Sequence, residues 1–140
     1  MTLPDRLFGT TYMAYHLRGQ AAYPFKPLAA IRADQARRVR QMVAYAYRYV
    51  PYYRDTLDRL GYRPADFRNA EDLAKLPLLE REQVQRDLEY FSSTAQPLRH
   101  YIPLRTSGST GRICTYYHDA PSLLRGAAYS GRTRAVIAPL

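Results

Sequence analysis

Between Leu28 and Val50 apolar side chains return every three or four residues, and no other stretch restricts the fold as strongly. Leu28, Ile31, Val39, Met42, Val43, Ala46 and Val50 make one stripe, while Arg32, Arg37, Arg38, Arg40 and Gln41 largely cover the other side. An amphipathic helix from Leu28 to Tyr49 must bury that stripe against other elements. Pro51 stops it, because the proline ring collides with the preceding turn. Tyr45, Tyr47, Tyr49, Tyr52 and Tyr53 crowd the helix end. Such rings pack broadly and keep a hydroxyl near water, so they are assigned to docking this helix on its neighbours and not to a ligand.

Short helices punctuated by prolines follow. Tyr53, Leu57 and Leu60 line one side of a predicted helix from Tyr52 to Leu60, and Gly61 suits the position just past its end. Pro64-Ala65-Asp66 makes a turn. Asn69 reads as an N-cap with Asp72 three residues on, where Glu or Gln is the usual reciprocal partner. Leu73 and Leu76 are the inward side of a very short helix ending at Pro77, and a further helix is expected from Glu80 to Leu88 with Val84 and Leu88 inward. Asp55, Asp58, Glu80 and Glu82 lie amid arginines and read as solvated surface pairs. Phe91 to Leu98 is a polar connection. His100 to Leu104 can form a strand, with Pro103 arguing against a central place, and Ile113 to Tyr117 a second one. Asp119 can cap a helix starting near Pro121 and carrying Leu123, Leu124 and Ala128, whose length Gly126 and Gly131 leave open. Ahead of all this, Tyr12, Met13, Tyr15, Leu17, Tyr23 and Phe25 show no clean period, so residues 1–27 read as an arm that packs on the body or touches a membrane surface.

Composition narrows the class. A chain of 140 residues can bury a core, and 46% hydrophobic residues argue against disorder. The net charge of +9, from 19 arginines and 2 lysines against 12 acids, suits either a phosphate-bearing ligand or a solvated arginine-rich surface. Nucleic acid is disfavoured, since single-strand signatures, zinc spacings and a dense basic helix are all missing from the sequence. Cys114 stands alone and His16, His100 and His118 are scattered, so no metal site is expected. No apolar run approaches membrane-spanning length and no signal-peptide start is present, which leads us to expect a cytoplasmic protein.

The chemistry concentrates in Thr106-Ser107-Gly108-Ser109-Thr110-Gly111-Arg112. Glycines admit the backbone angles that let successive amides curl around an anion. Ser107, Ser109 and Thr110 add hydroxyl donors and Arg112 a fixed positive charge. The stretch lacks the Gly-Lys-Ser/Thr ending of a Walker loop and the glycine spacing of a dinucleotide fingerprint. Its flanks favour strand, so loop amides and hydroxyls would hold the anion; glycine, serine and threonine also make ordinary turns.

Thr106-Ser107-Gly108-Ser109-Thr110-Gly111 resembles the phosphate-binding signature of the adenylate-forming enzyme superfamily. Val50-Pro51-Tyr52-Tyr53-Arg54, the turn from Gly61 to Asp66, and Leu73 through Leu79 with its Leu76-Pro77 pair are similar to the phenylacetate-CoA ligase branch. That branch also holds capsular-polysaccharide and coenzyme F390 synthetase homologues. The likeness covers roughly residues 33 to 119. It implies a two-step ligation in which a small-molecule carboxylic acid attacks Mg-ATP to give an acyl-adenylate, and a thiol such as coenzyme A takes the acyl group. By this resemblance Ser107, Ser109 and Thr110 bind phosphoryl oxygens, Gly108 and Gly111 allow the wrap, and Arg112 stands where a basic residue commonly sits. Ile113 replaces the family's usual proline.

The expected fold is therefore α+β: an arm over residues 1–27, a helical subdomain over 28–91, and over 92–140 the start of an AMP-binding core, a β-hairpin carrying the phosphate loop and then a helix. The resemblance marks this as an incomplete N-terminal part of the family's fold, without a catalytic residue of its own, inactive as a ligase alone and prone to self-associate through apolar faces. A nucleotide-phosphate-binding or interaction module without catalysis is the alternative.

Overall fold

The computed structural model describes residues 3–106 and 114–137, with side chains from residue 9 onward. In chain order the helices are α1 (Leu3–Leu17), α2 (Leu28–Tyr49), α3 (Pro51–Leu60), α4 (Arg81–Arg86) and α5 (Ala120–Ile137), and the strands β1 (Ile102–Arg105) and β2 (Thr115–His118). Short 3-10 turns fill several connections. Mixed helix with one two-stranded antiparallel sheet is compatible with the expected α+β class. Packing groups Met1–Ile31 with His118–Leu140 in one unit and Arg32–Tyr117 in another.

The larger unit is built on α2 and α3. Val50 leaves α2 in an extended conformation (φ −113°, ψ 110°), as a residue before proline does, and Pro51 opens α3 where its missing N–H does no harm. Gly61 takes φ 72°. Its N–H reaches the Asp58 carbonyl at 3.2 Å and the Tyr62 N–H reaches Leu57 at 2.9 Å, a Schellman ending whose left-handed residue favours glycine. Val39 and Val43 of α2 meet Leu57 of α3 and Phe67, and Tyr47, Tyr62, Leu73 and Leu76 pack around them. Of the predicted α2 stripe, Leu28 and Met42 are exposed instead.

The polar ends of these elements explain where they stop. The Asn69 and Asp72 pair does form: the Asp72 N–H donates to Asn69 Oδ1 at 3.1 Å and the Asn69 N–H to Asp72 Oδ2 at 3.2 Å. A shorter acid thus serves where glutamate is customary. Helix α4 ends at Arg86, two residues before the predicted Leu88, because Asp87 leaves helical geometry (φ −144°, ψ 77°) and its carboxylate accepts the Tyr90 N–H at 3.0 Å. His100 belongs to a 3-10 turn, with its N–H on the Pro97 carbonyl, so β1 starts at Ile102 and not at His100. The tyrosines do dock elements: the Tyr47 hydroxyl donates to Asp58 at 2.9 Å, Tyr45 meets Ser93 at 2.6 Å, and Tyr52 stacks on Phe91 with centroids 4.6 Å apart.

In the smaller unit α1 packs against α5. The segment read as an aperiodic arm is therefore a helix over most of its length. Its pattern is blurred because Tyr15 and Leu17 face outward while Tyr12, Met13 and His16 are half-buried at helical spacing. Arg125 of α5 donates to the Tyr12 hydroxyl at 2.8 Å. Arg132 of α5 donates to Gln20 Oε1 at 2.6 Å and lies 3.7 Å from the Tyr23 ring centre. Asp119 accepts the Ser122 N–H at 2.6 Å, so the predicted cap is present, and α5 continues through both Gly126 and Gly131.

Candidate functional site

The predicted site divides at Thr106. Ser107, Gly108, Ser109, Thr110, Gly111 and Arg112 lie outside the described residues, as does Ile113, whereas Thr106 and Cys114 bracket them. The Thr106 N–H donates to the Cys114 carbonyl at 3.0 Å, and the Cys114 N–H donates to Thr106 Oγ1 at 3.0 Å. Two bonds thus tie the ends of β1 and β2 together on either side of the glycine-rich stretch. Thr106 uses its oxygen as a brace, and among the described residues its hydroxyl hydrogen has no acceptor.

A second fastening comes from α4. Gln85 donates through Nε2 to the Thr115 carbonyl at 3.2 Å and accepts the Thr115 N–H through Oε1 at 3.1 Å. One side-chain amide therefore pairs with both backbone groups of a strand residue, as a neighbouring strand would. The same Nε2 lies 3.2 Å from Cys114 Sγ. Successive residues of a strand direct their backbone groups to opposite sides, so with Thr106 and Cys114 paired, Thr115 faces outward toward Gln85. The same alternation puts Pro103 on the outer side of β1, where its missing N–H removes no bond to β2. Gln85 was not singled out from sequence. A glutamine on a short polar helix carries no signal there, because its partner lies thirty residues ahead.

Electrostatics within the Arg32–Tyr117 unit are those of a scaffold. Burial, then Tyr52 beside it, raises the Tyr53 hydroxyl. Loss of solvation, then the bond its hydroxyl donates to Asp55, raises Tyr90. The Arg63 guanidinium is raised by Tyr47 and by Asp58, and Asp72 is lowered to about 2, chiefly by its bond from Lys75. Each shift carries a pKa further from neutral pH, so Tyr53 and Tyr90 keep their protons while Arg63 and Asp72 keep their charges, which suits a scaffold more than proton transfer. The expected surface pairing appears at Asp58 with Arg63 and at Asp55 with Arg54. Among the described residues there is no group of three or more His, Cys, Asp or Glu that could hold a metal ion. None of their helices is long and apolar enough to cross a membrane.

No family model matches the chain. Curated relatives do, among them the following three. The phenylacetate-coenzyme A ligase of Thermus thermophilus is 37% identical over 87 residues, which is 61% of this chain and 19% of that protein. Enzymes of the same name from Escherichia coli and Aromatoleum evansii are 34% and 35% identical over 83 residues, 59% of this chain and 19% of each. The chain is similar to phenylacetate-coenzyme A ligases. It covers about a fifth of the length of these ligases, since 19% of each is matched.

Proposed function

We propose that this chain supplies the phosphate-gripping loop and its helical support to an ATP-dependent acyl- or aryl-CoA ligase of the adenylate-forming superfamily, in the branch that holds the phenylacetate-CoA ligases. The observation that carries the reading is the 34–37% identity to four ligases of that name over about three-fifths of the chain. In the whole ligase a carboxylate oxygen attacks the α-phosphorus of Mg-ATP and pyrophosphate leaves; a thiol, coenzyme A, then attacks the acyl carbon and AMP leaves. Residues 92–140 begin the AMP-binding core in this assignment. Ser107, Ser109 and Thr110 donate to phosphoryl oxygens, Gly108 and Gly111 permit the close approach of backbone, and Arg112 balances charge moving onto pyrophosphate. Thr106 braces the loop and keeps one hydroxyl hydrogen toward the phosphates. The donor set fits a polyphosphate: hydroxyls, amides and a guanidinium, with no carboxylate between Arg105 and Arg112.

Mg-ATP titrated against the chain is expected to move the amide resonances of Gly108 through Arg112. Replacing Thr110 and Arg112 together by alanine should weaken binding by about ten-fold or more, since a hydrogen bond to a charged group contributes about 1.5–3 kcal/mol. Resonances that stay in place under excess Mg-ATP would overturn the reading.

A further inference from the structure

A concave surface lies in the Arg32–Tyr117 unit, away from the glycine-rich stretch in sequence. It is a cleft of about 400 Å³ with α3 on one side and α4 on the other. Tyr52, Asp55 and Arg59 recur at helical spacing along α3, so one face of that helix forms the wall. Gln83 and Arg86 of α4 stand opposite. The volume falls within the usual range for small-ligand pockets, ~300–1,000 Å³.

Its polar groups are unevenly committed. Asp55, the cleft's acid, accepts the Tyr90 hydroxyl at 3.0 Å through one oxygen and lies 3.6 Å from Arg54 through the other. Gln83 has its oxygen on the Glu80 N–H at 3.0 Å, which leaves its amide hydrogens to donate. Among the described residues Arg59 and Arg86 have neither an ion pair nor a hydrogen bond. Elsewhere in this unit Arg37 and Arg38 are held by Asp34, Arg63 by Asp58, and Lys75 by Asp72. The stacked Tyr52 and Phe91 rings give the same cleft a flat apolar wall.

We propose that this cleft binds a small phosphate monoester carried on a planar group, with Arg59 and Arg86 on the phosphate, the Gln83 amide as a third donor, and the planar group against Tyr52 and Phe91. Two guanidiniums match the charge of about −2 that a phosphate monoester carries near neutral pH, where a single carboxylate would leave one cation unanswered. None of the cleft's lining residues belongs to the glycine-rich stretch, and the proposal does not depend on that stretch's assignment.

Phenyl phosphate is the probe, followed by calorimetry and by the side-chain resonances of the two arginines, with inorganic phosphate and benzoate alongside. Phenyl phosphate should bind at least several-fold more tightly than either comparison ligand. Arg59→Ala and Arg86→Ala should each reduce its affinity about ten-fold, both side chains being exposed and so dispensable for folding. Thr110→Ala should leave this binding unchanged while weakening Mg-ATP at the loop, which separates the two sites. Equal affinity in the Arg59→Ala, Arg86→Ala double variant, or arginine resonances that do not move, would overturn the proposal.

Discussion

Among the described residues, Asp72 carries the clearest charge effect. Its carboxylate accepts from the Lys75 ammonium at 2.7 Å and from the Arg68 and Asn69 N–H groups at 2.7 and 3.2 Å. All three bonds favour the ionised form, with Lys75 first, and hold the group at about 2 against an ordinary 3.8. A carboxylate depressed in the folded state adds stability that is present above the unfolded value and is lost as pH falls through the folded one. The contribution should therefore be intact above pH 3.8 and disappear on the way down to about 2. A carbon-detected titration of Asp72 should give a midpoint near 2, and Lys75→Met should raise it. A midpoint at the ordinary value would show that these bonds do not persist in solution.

At the scale of elements, Gln85 is the test of how the hairpin is held. Its amide satisfies both backbone groups of Thr115, so Gln85→Leu removes two hydrogen bonds and leaves a half-buried strand residue without its partners. A cost of about 1–3 kcal/mol is expected, with faster hydrogen exchange at the Thr115 amide and little change in α2. Unchanged exchange at Thr115 would count against this fastening. The elements legible in the sequence are those whose instructions are local: the α2 stripe, the proline at its end, Gly61, the Asn69–Asp72 box, and the Asp119 cap. Others were decided by partners far along the chain. Periodicity cannot show that α1 forms on α5, because part of its apolar surface faces outward. It cannot show that Gln85 reaches β2, since nothing near either residue announces the pairing. For the candidate site, sequence named the whole glycine-rich stretch, and geometry added the fastening of its two ends.

Across the whole molecule, burial is uneven between the two packed units. Val39, Val43, Val50, Thr56, Leu57 and Phe67 are buried in the Arg32–Tyr117 unit, whereas in the other unit Ala128 is buried among the described residues. Apolar area removed from water is the main favourable term in folding, so local opening should need less free energy in α1 and α5 than in α2 and α3. Native-state hydrogen exchange should show amides at the centre of α5 exchanging at least about ten-fold faster than those around Val43 and Leu57. Equal protection would mean that the units open together. The hairpin also fixes the direction in which its sheet can widen. At Thr115 the amide of Gln85 fills the place another strand would occupy, so an added strand meets a ready-made obstruction on the β2 flank. Among the described residues no strand pairs with the outer side of β1, so a further strand is steered to that edge, Ile102–Arg105, where Pro103 withholds a single donor.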